Sequence, residues 1–148
     1  MRLHVLSRYI GFVLLLNAAF ILFSLLLSIH YHDSGFYPLL FTLLLTTLWA
    51  VFPMIFVPKT QSLSNKEGYL VVVLSWIISC FIGMLPLLLY GGEFTVVKAF
   101  FESVSGYTTT GASIIKDVEA LPKSLLFWRS SMHWIGGIGI VVFMLVIL

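Results

Sequence analysis

Four long apolar runs constrain the fold of this chain more than any other feature of its sequence. A helix that crosses a bilayer needs about 20 predominantly apolar residues, because the hydrocarbon core is about 30 Å thick. Residues 10–29, 36–57, 68–90 and 125–148 each meet that requirement. The pattern therefore predicts four membrane-spanning helices and an all-α integral membrane protein.

The composition excludes several other classes of protein. Hydrophobic residues make up 60% of the chain and charged residues only 9%, whereas a soluble domain has about 25% charged residues. A chain with so little charge cannot form an ordinary hydrated surface, so we exclude a soluble enzyme and an intrinsically disordered segment. Basic residues are scattered and not interleaved with aromatics in a stripe, so nucleic acid is not expected as a partner.

Residues 94–104, between the third and fourth runs, are too few to cross the membrane. At about 1.5 Å per residue, a helix of this length reaches only about 16 Å. Thr95 is predicted to cap its start, because a threonine oxygen can accept hydrogen bonds from free amides of the first turn. Residues 108–111 read Thr-Thr-Thr-Gly, and β-branched residues beside glycine do not favour a continued helix. We predict a re-entrant half-helix followed by an extended return.

The return segment has the chemistry of a cation pathway. Irregular backbone at membrane depth is tolerated only where it is buried in protein or lines a water-filled cavity. Carbonyl oxygens along such a strand can replace the hydration shell of an alkali cation, and threonine hydroxyls add oxygen ligands without charge. Gly111 permits backbone angles that a Cβ would forbid. Because the segment has no acidic residue, it favours K⁺, with Na⁺ as a competitor, over a divalent ion.

Residues 98–112 resemble the first pore loop of the Trk/Ktr/HKT superfamily of potassium transporters. The sequence of this segment is Lys-Ala-Phe-Phe-Glu-Ser-Val-Ser-Gly-Tyr-Thr-Thr-Thr-Gly-Ala. Residues 121–129 and 134–140 are similar to the second helix of the same repeat. By this resemblance, residues 1–67 form two additional N-terminal transmembrane helices, as in bacterial TrkH-type members. Residues 68–148 then form the first helix–re-entrant pore loop–helix repeat.

The resemblance implies potassium uptake across the bacterial cytoplasmic (inner) membrane. In that family one chain holds four repeats around one pathway, and each repeat supplies one strand of the selectivity filter. Thr108, Thr109, Thr110 and Gly111 are therefore expected to form one quarter of the filter, with K⁺ at Thr109 and Thr110. A cytoplasmic nucleotide-binding regulatory subunit is implied as a partner. No cofactor and no enzymatic activity are expected.

One repeat cannot enclose a pore, and this leaves the assembly open. In the preferred interpretation, these residues are the N-terminal part or truncated form of a longer chain that holds the remaining repeats. Alternatively, four identical subunits form a homotetrameric channel-like pore, or the chain is a non-conducting accessory membrane protein.

Lysine and arginine in short connections predict the orientation. Two arginines precede the first run and two lysines lie in residues 58–67, whereas residues 30–35 contain neither. The N-terminus and the second connection are therefore predicted to be cytoplasmic. Residues 30–35 and 91–122 are predicted to lie on the external side.

Glu102 and Arg129 are charged residues close to the predicted filter. A carboxylate near the C-terminal end of a helix is disfavoured by the helix dipole and needs a cation or hydrogen-bond donors in the membrane. In one alternative, Arg129 pairs with Glu102 and supports the filter from behind. In the other, Arg129 extends to the outer interface and Glu102 meets backbone amides.

Other residues of the fourth run have simpler explanations. His133 lies one turn after Arg129 and is predicted to pack or to form a hydrogen bond, with a proton relay as the alternative. Gly136, Gly137 and Gly139 are predicted to let another helix approach closely. A gating hinge is the alternative for these glycines.

Overall fold

A computed structural model describes residues 3–58 and 64–147 of the chain. Its five α-helices are α1 (Leu3–Tyr31), α2 (Phe36–Phe56), α3 (Asn65–Tyr90), α4 (Val96–Tyr107) and α5 (Lys123–Ile147). The described residues contain no strand, so the predicted all-α class is confirmed. Part of the predicted cytoplasmic connection 58–67 and the last residue of the fourth run lie outside the described residues.

Three of the described helices are long and apolar enough to cross a membrane. These spans are Leu6–Tyr31, Phe36–Phe56 and Lys66–Tyr90, and they correspond to the first three predicted runs. The fourth run corresponds to α5, which has 25 residues and a length of about 37 Å. The side chains after Val141 are outside the described part, so a fourth span stays a prediction.

The helices place apolar side chains outward and polar ones inward. On α2 the outward residues include Phe41, Leu44, Leu48, Trp49, Phe52 and Ile55, all of them exposed. On α1 the buried face includes Asn17, Ser24 and Ser28 beside Leu14 and Ile21. This distribution suits lipid surroundings, because hydrocarbon solvates apolar side chains and polar groups must find partners inside the protein.

The short helix α4 begins where the sequence predicts, but it ends three residues beyond the predicted end. Thr95 is its N-cap, and its Oγ1 accepts a hydrogen bond from the amide of Lys98 at 3.4 Å. The predicted end at residue 104 was wrong, because the helix continues to Tyr107. Packing explains the extension: a Cβ added at Gly106 would lie 2.9 Å from the Cβ of Met132 on α5. Because Gly106 has no Cβ, α5 can pack closely against this turn, and such tertiary packing overrides the low helix propensity of glycine.

The chain reverses direction after α4 and returns alongside it, as a re-entrant loop does. Ser105 of α4 bonds to Ala112, and Glu102, one turn earlier, bonds to Ile114. Partners later in the return therefore meet residues earlier in α4, so the two segments run antiparallel.

The α1–α2 turn lies against the start of α5. The Asp33 carboxylate accepts hydrogen bonds from the amide and the hydroxyl of Ser124 at 3.0 and 2.8 Å. Residues 30–35 and the end of the segment 91–122 therefore lie on one side of the molecule, as the orientation argument predicts. Which side faces the cytoplasm stays a prediction.

Candidate ion-selectivity site

The four residues after α4 do not form a regular extended strand. Thr108 has φ −85° and ψ 0°, within the helical region. Thr109 and Gly111 have positive φ values of 57° and 75°. The prediction of a plainly extended segment was wrong here, and the prediction of a special glycine at 111 is confirmed. A β-branched residue with positive φ is uncommon, so the surroundings must hold Thr109 in place.

Every backbone amide of this segment donates back into the end of α4. The amide of Thr108 reaches the carbonyl of Val104 at 2.9 Å, and that of Thr109 reaches Gly106 at 2.9 Å. The amides of residues 110 and 111 share the carbonyl of Ser105 at 3.0 and 3.3 Å. These bonds satisfy carbonyls that a helix end leaves without partners.

The backbone carbonyl oxygens of residues 108–111, in contrast, are free to accept. Among the described residues, no backbone or side-chain group donates a hydrogen bond to them. Residues 108–113 are all exposed on the surface of the chain. Backbone donors are thus used internally while backbone acceptors stay accessible, and this is the arrangement that a cation requires.

The threonine hydroxyls add oxygen atoms to the same surface. The Thr108 Oγ1 donates to the carbonyl of Val104 at 2.7 Å and lies 2.8 Å from the Thr110 Oγ1. With its own proton directed to Val104, the Thr108 oxygen accepts from Thr110. The segment therefore offers uncharged hard oxygen atoms only, which suit an alkali cation.

Glu102 and Arg129 form a buried ion pair behind this segment. The Glu102 Oε2 accepts from Nε and Nη2 of Arg129 at 3.1 and 2.7 Å. The glutamate side chain has no exposed surface, and that of the arginine is 13% exposed. Of the two predicted alternatives, the pair is the one observed. The other alternative was right in one respect, since Glu102 also accepts from the amide of Ile114 at 2.8 Å.

Hydrogen bonds connect consecutive residues of the returning loop, 112 to 114, to α4. The Ser105 hydroxyl donates to the carbonyl of Ala112 at 2.6 Å, immediately after Gly111. The Ser113 hydroxyl donates to the Glu102 Oε1 at 2.8 Å. Residues 112–114 are therefore held from behind by α4, and one of the groups that hold them, the Glu102 carboxylate, is in turn fixed to α5 by Arg129.

Two of the three glycines of α5 permit close approach, as predicted. A Cβ at Gly136 would lie 2.7 Å from the carbonyl carbon of Tyr107, and one at Gly139 would lie 2.8 Å from the Trp76 Nε1. At Gly137 the nearest atom, the Thr109 Cγ2, is 3.9 Å away, an ordinary contact. The prediction was therefore wrong for Gly137, and a hinge at these glycines stays a prediction.

His133 has the hydrogen bond that the sequence led us to expect. Its Nδ1 lies 2.9 Å from the carbonyl oxygen of Arg129, one turn earlier in α5. The imidazole ring is therefore engaged in a local hydrogen bond within α5.

Asp33 caps a helix far along the chain, and sequence reasoning missed this role. Its carboxylate accepts from Ser28, Gly35 and Ser124, and the last of these lies in the first turn of α5. Burial acts to raise the pKa of this carboxyl group, but the hydrogen bonds outweigh it and leave the pKa below its ordinary value of 3.8. Asp33 is thus held as an anion at a helix N-terminus, where the dipole favours negative charge.

Asn17 is a further residue whose role the apolar pattern of the first run does not indicate. The side chain is completely buried and forms hydrogen bonds to α3 and α4. An asparagine in the middle of an apolar span is a signal that could have been used, because an amide at that depth requires partners.

A comparison with known proteins decides the family. Residues 39–148 match the model of a family described as TrkH, a cation transport protein. The chain belongs to the TrkH cation transport family. It is therefore a multi-pass membrane protein of a transporter family, and not an enzyme.

Individual relatives agree with this assignment. The chain is 37% identical to an uncharacterized cation transporter of Methanocaldococcus jannaschii, over 90% of the chain and 28% of the relative. It is 32% identical to the Trk system potassium uptake protein TrkH of Escherichia coli K12, over 100% and 31%. The crystal structure of the potassium transporter TrkH from Vibrio parahaemolyticus matches with a TM-score of 0.91 at 33% identity, over 100% of this chain and 32% of that chain. The chain thus spans about a third of the length of these relatives.

Proposed function

We propose that this chain takes part in potassium uptake and that residues 108–111 supply one strand of a K⁺ selectivity filter. The observation that carries the proposal is the division of the backbone groups in this segment. Its amides bond to the end of α4, whereas its carbonyl oxygens are accessible and accept no hydrogen bond from the described residues. Relatives named as potassium uptake proteins support K⁺ as the ion.

In this proposal the ion exchanges its water for protein oxygen atoms. The carbonyl groups of Thr108, Thr109, Thr110 and Gly111 face the pathway, and K⁺ sits at the level of Thr109 and Thr110. The ligands carry no formal charge, so a monovalent ion can both enter and leave. The C-terminal end of α4 adds a partial negative charge close to the ion.

The filter needs further strands, because one strand cannot surround an ion. The relatives are about three times as long as this chain, which supports additional repeats in a longer chain over four identical subunits. Glu102 and Arg129 then act as the filter support, since they fix the return of the loop to α4 and α5.

Location and partners follow from the same proposal. The protein lies in the bacterial cytoplasmic membrane, with the N-terminus in the cytoplasm and the re-entrant loop opening to the outside. A cytoplasmic nucleotide-binding subunit regulates transport. The bias of basic residues supports the orientation, and the family resemblance supports the partner.

The test is Gly111→Asp in the full-length transporter, with Rb⁺ uptake measured in a host that lacks other K⁺ uptake systems. Aspartate adds a charge to the filter and a side chain at φ 75°, so we expect uptake to fall to the background level. Gly92→Asp is the matched control, because Gly92 also has positive φ, 65°, and open space around it, but precedes α4, whereas residues 108–111 follow the other end of that helix. Normal Rb⁺ uptake by the Gly111 variant at normal membrane abundance would refute the filter assignment.

A further inference from the structure

Asn17 of α1 connects three helices in the interior of the molecule. Its side chain is 0% exposed. The Nδ2 donates to the carbonyl of Val13 at 2.9 Å within α1 and to the Ser79 Oγ of α3 at 3.1 Å. The Oδ1 accepts a hydrogen bond from the hydroxyl of Tyr107, the last residue of α4.

Tyr107 is the residue directly before the proposed filter strand, and neighbouring helices hold it on several sides. It is 1% exposed. Its ring lies against Gly83 of α3, where an added Cβ would come within 2.5 Å of the Tyr107 Cε2. Its backbone lies against Gly136 of α5. In the described structure, the side chain of Tyr107 forms its hydrogen bond through the hydroxyl group, which donates to Asn17.

The hydrogen bond differs from the other contacts of Tyr107 in being directional. Apolar contact tolerates a small rotation or slide of α4 along its neighbours, because dispersion depends weakly on angle. A hydrogen bond prefers an angle above about 150° at the hydrogen and weakens steeply below about 120°. In surroundings without water the bond is also costly to break, because the asparagine oxygen would stay unpaired.

We propose that Asn17 is a positioning residue for the filter: through Tyr107 it sets the axial and rotational position of the α4 end and hence of the carbonyl groups of residues 108–111. This inference rests on the proposed function of that segment. It gives the first helix, which lies outside the pore repeat, a direct part in selectivity. Ser79 is the anchor on α3, since it holds the amide of Asn17 while the carbonyl oxygen serves Tyr107.

The experiment uses the full-length transporter and measures Rb⁺ and Na⁺ uptake at equal membrane abundance. The variants are Asn17→Leu, Tyr107→Phe and the double variant, with Gly111→Asp as the reference for the filter itself. Ser24→Ala is the matched control: Ser24 is also 0% exposed on α1, but within the described structure its hydroxyl bonds only inside its own helix, to the carbonyl of Phe20 at 3.0 Å.

We expect each single variant to lower the ratio of Rb⁺ to Na⁺ uptake by about two- to tenfold, the factor that one ordinary hydrogen bond provides. The double variant should lose no more than the larger single loss, because both substitutions remove the same bond. Ser24→Ala should keep the ratio of the unaltered protein.

Other outcomes overturn the inference, and they separate it from the proposed function. If Gly111→Asp abolishes Rb⁺ uptake while both single variants keep the ratio, the filter stands and the positioning role is wrong. The positioning role is also wrong if the variants lower only the abundance, or if their losses simply add. If Gly111→Asp leaves Rb⁺ uptake normal, both the filter assignment and the inference fail.

Discussion

Glu102 shows how a single carboxylate is accommodated deep in this structure. Both oxygen atoms are fully used: Oε1 accepts from Ser113 and Ile114, and Oε2 accepts from two nitrogen atoms of Arg129. Hydrogen bonds between a guanidinium and a carboxylate are shorter and stronger than those between neutral groups. The charge is therefore compensated by a cation and by donors that belong to the returning loop, so its position and that of the loop depend on each other.

Removing the cation from this pair is expected to destabilise the protein strongly. Arg129→Gln leaves the Glu102 charge buried without a counter-ion, which costs about 3–5 kcal/mol. Arg129→Lys keeps the charge but offers a single ammonium in place of the planar fork, so an intermediate loss is expected. Thermal unfolding of the detergent-solubilised transporter checks this: the unfolding temperature should fall from the unaltered protein to Arg129→Lys and further to Arg129→Gln.

Lys98→Gln provides the control for that series. Lys98 pairs with Glu93 at 3.8 Å, and both side chains are 39% exposed. An exposed pair of this kind contributes at most about 1 kcal/mol, so the control should unfold close to the temperature of the unaltered protein. An Arg129→Gln variant as stable as Lys98→Gln would show that the buried pair has no structural importance.

At the scale of helices, the loop is positioned by close contact as much as by hydrogen bonds. α5 approaches the end of α4 where Gly136 faces the backbone of Tyr107. α3 approaches the same residue at Gly83. The atoms that face Gly136 are backbone atoms, which cannot move aside as a flexible side chain can, so the absence of a side chain there sets the distance between α5 and α4.

Gly136→Ala is therefore expected to displace α5 from α4. The new methyl group would lie 2.7 Å from the carbonyl carbon of Tyr107, and overpacking of this kind costs about 1–3 kcal/mol. We expect reduced thermal stability and a lowered Rb⁺ to Na⁺ uptake ratio in the full-length protein.

Gly137→Ala is the matched comparison, one residue along the same helix. Its nearest neighbour would be 3.9 Å away, and alanine has the higher helix propensity, so stability should be kept. Equal behaviour of the two alanine variants would contradict the close contact at Gly136.

At the scale of the whole molecule, hydrogen bonds between described residues join the first two helices to the others at two separated points, in addition to apolar packing. Asn17 bonds to α3 and α4 in the interior. Asp33, in the α1–α2 turn, bonds to Ser124 at the start of α5, and Lys123 places its ammonium 4.4 Å from the ring centre of Tyr31. Because the two attachments are separated along α1, they fix its direction as well as its position.

The Asp33 attachment predicts a dependence of stability on pH. The pKa of Asp33 is lowered in the folded protein from 3.8. The ionised form is thus favoured by folding, so its stabilisation is fully present above pH 3.8 and is lost as the pH falls through the lower folded-state value. Asp33→Asn should lower stability near neutral pH by about 1 kcal/mol, because the amide nitrogen cannot accept the hydrogen bonds that the second carboxylate oxygen accepts, and it should remove this part of the loss in acid.

Thermal unfolding between pH 3 and pH 7 measures that difference. Asp117→Asn is the control, since among the described residues Asp117 accepts a hydrogen bond only from the amide of Glu119, within an exposed turn. If the Asp33 and Asp117 variants give the same profile, the attachment at the start of α5 does not contribute to stability.

Much of the fold could be predicted from the sequence because it depends on local pattern. The length of each apolar run sets which segments can cross a bilayer, and the runs match α1, α2, α3 and α5. The half-helix with its Thr95 cap and the reversal near residues 108–111 followed from length and from residue type. The end of α4 was wrong by three residues, because contact with Met132 extends a helix that local propensity would stop.

The tertiary structure alone decided which distant groups meet. Whether Arg129 turns toward Glu102 or toward the interface, which helix end Asp33 caps, and what Asn17 holds all depend on residues 27 to 91 positions away. Hydropathy and propensity describe each residue with its near neighbours, whereas these bonds depend on how the helices are arranged in space. The sequence by itself determined the membrane-spanning apolar runs, the half-length helix and the reversal that follows it; the packing of α1, α3 and α5 determined where the carbonyl groups of the loop are held.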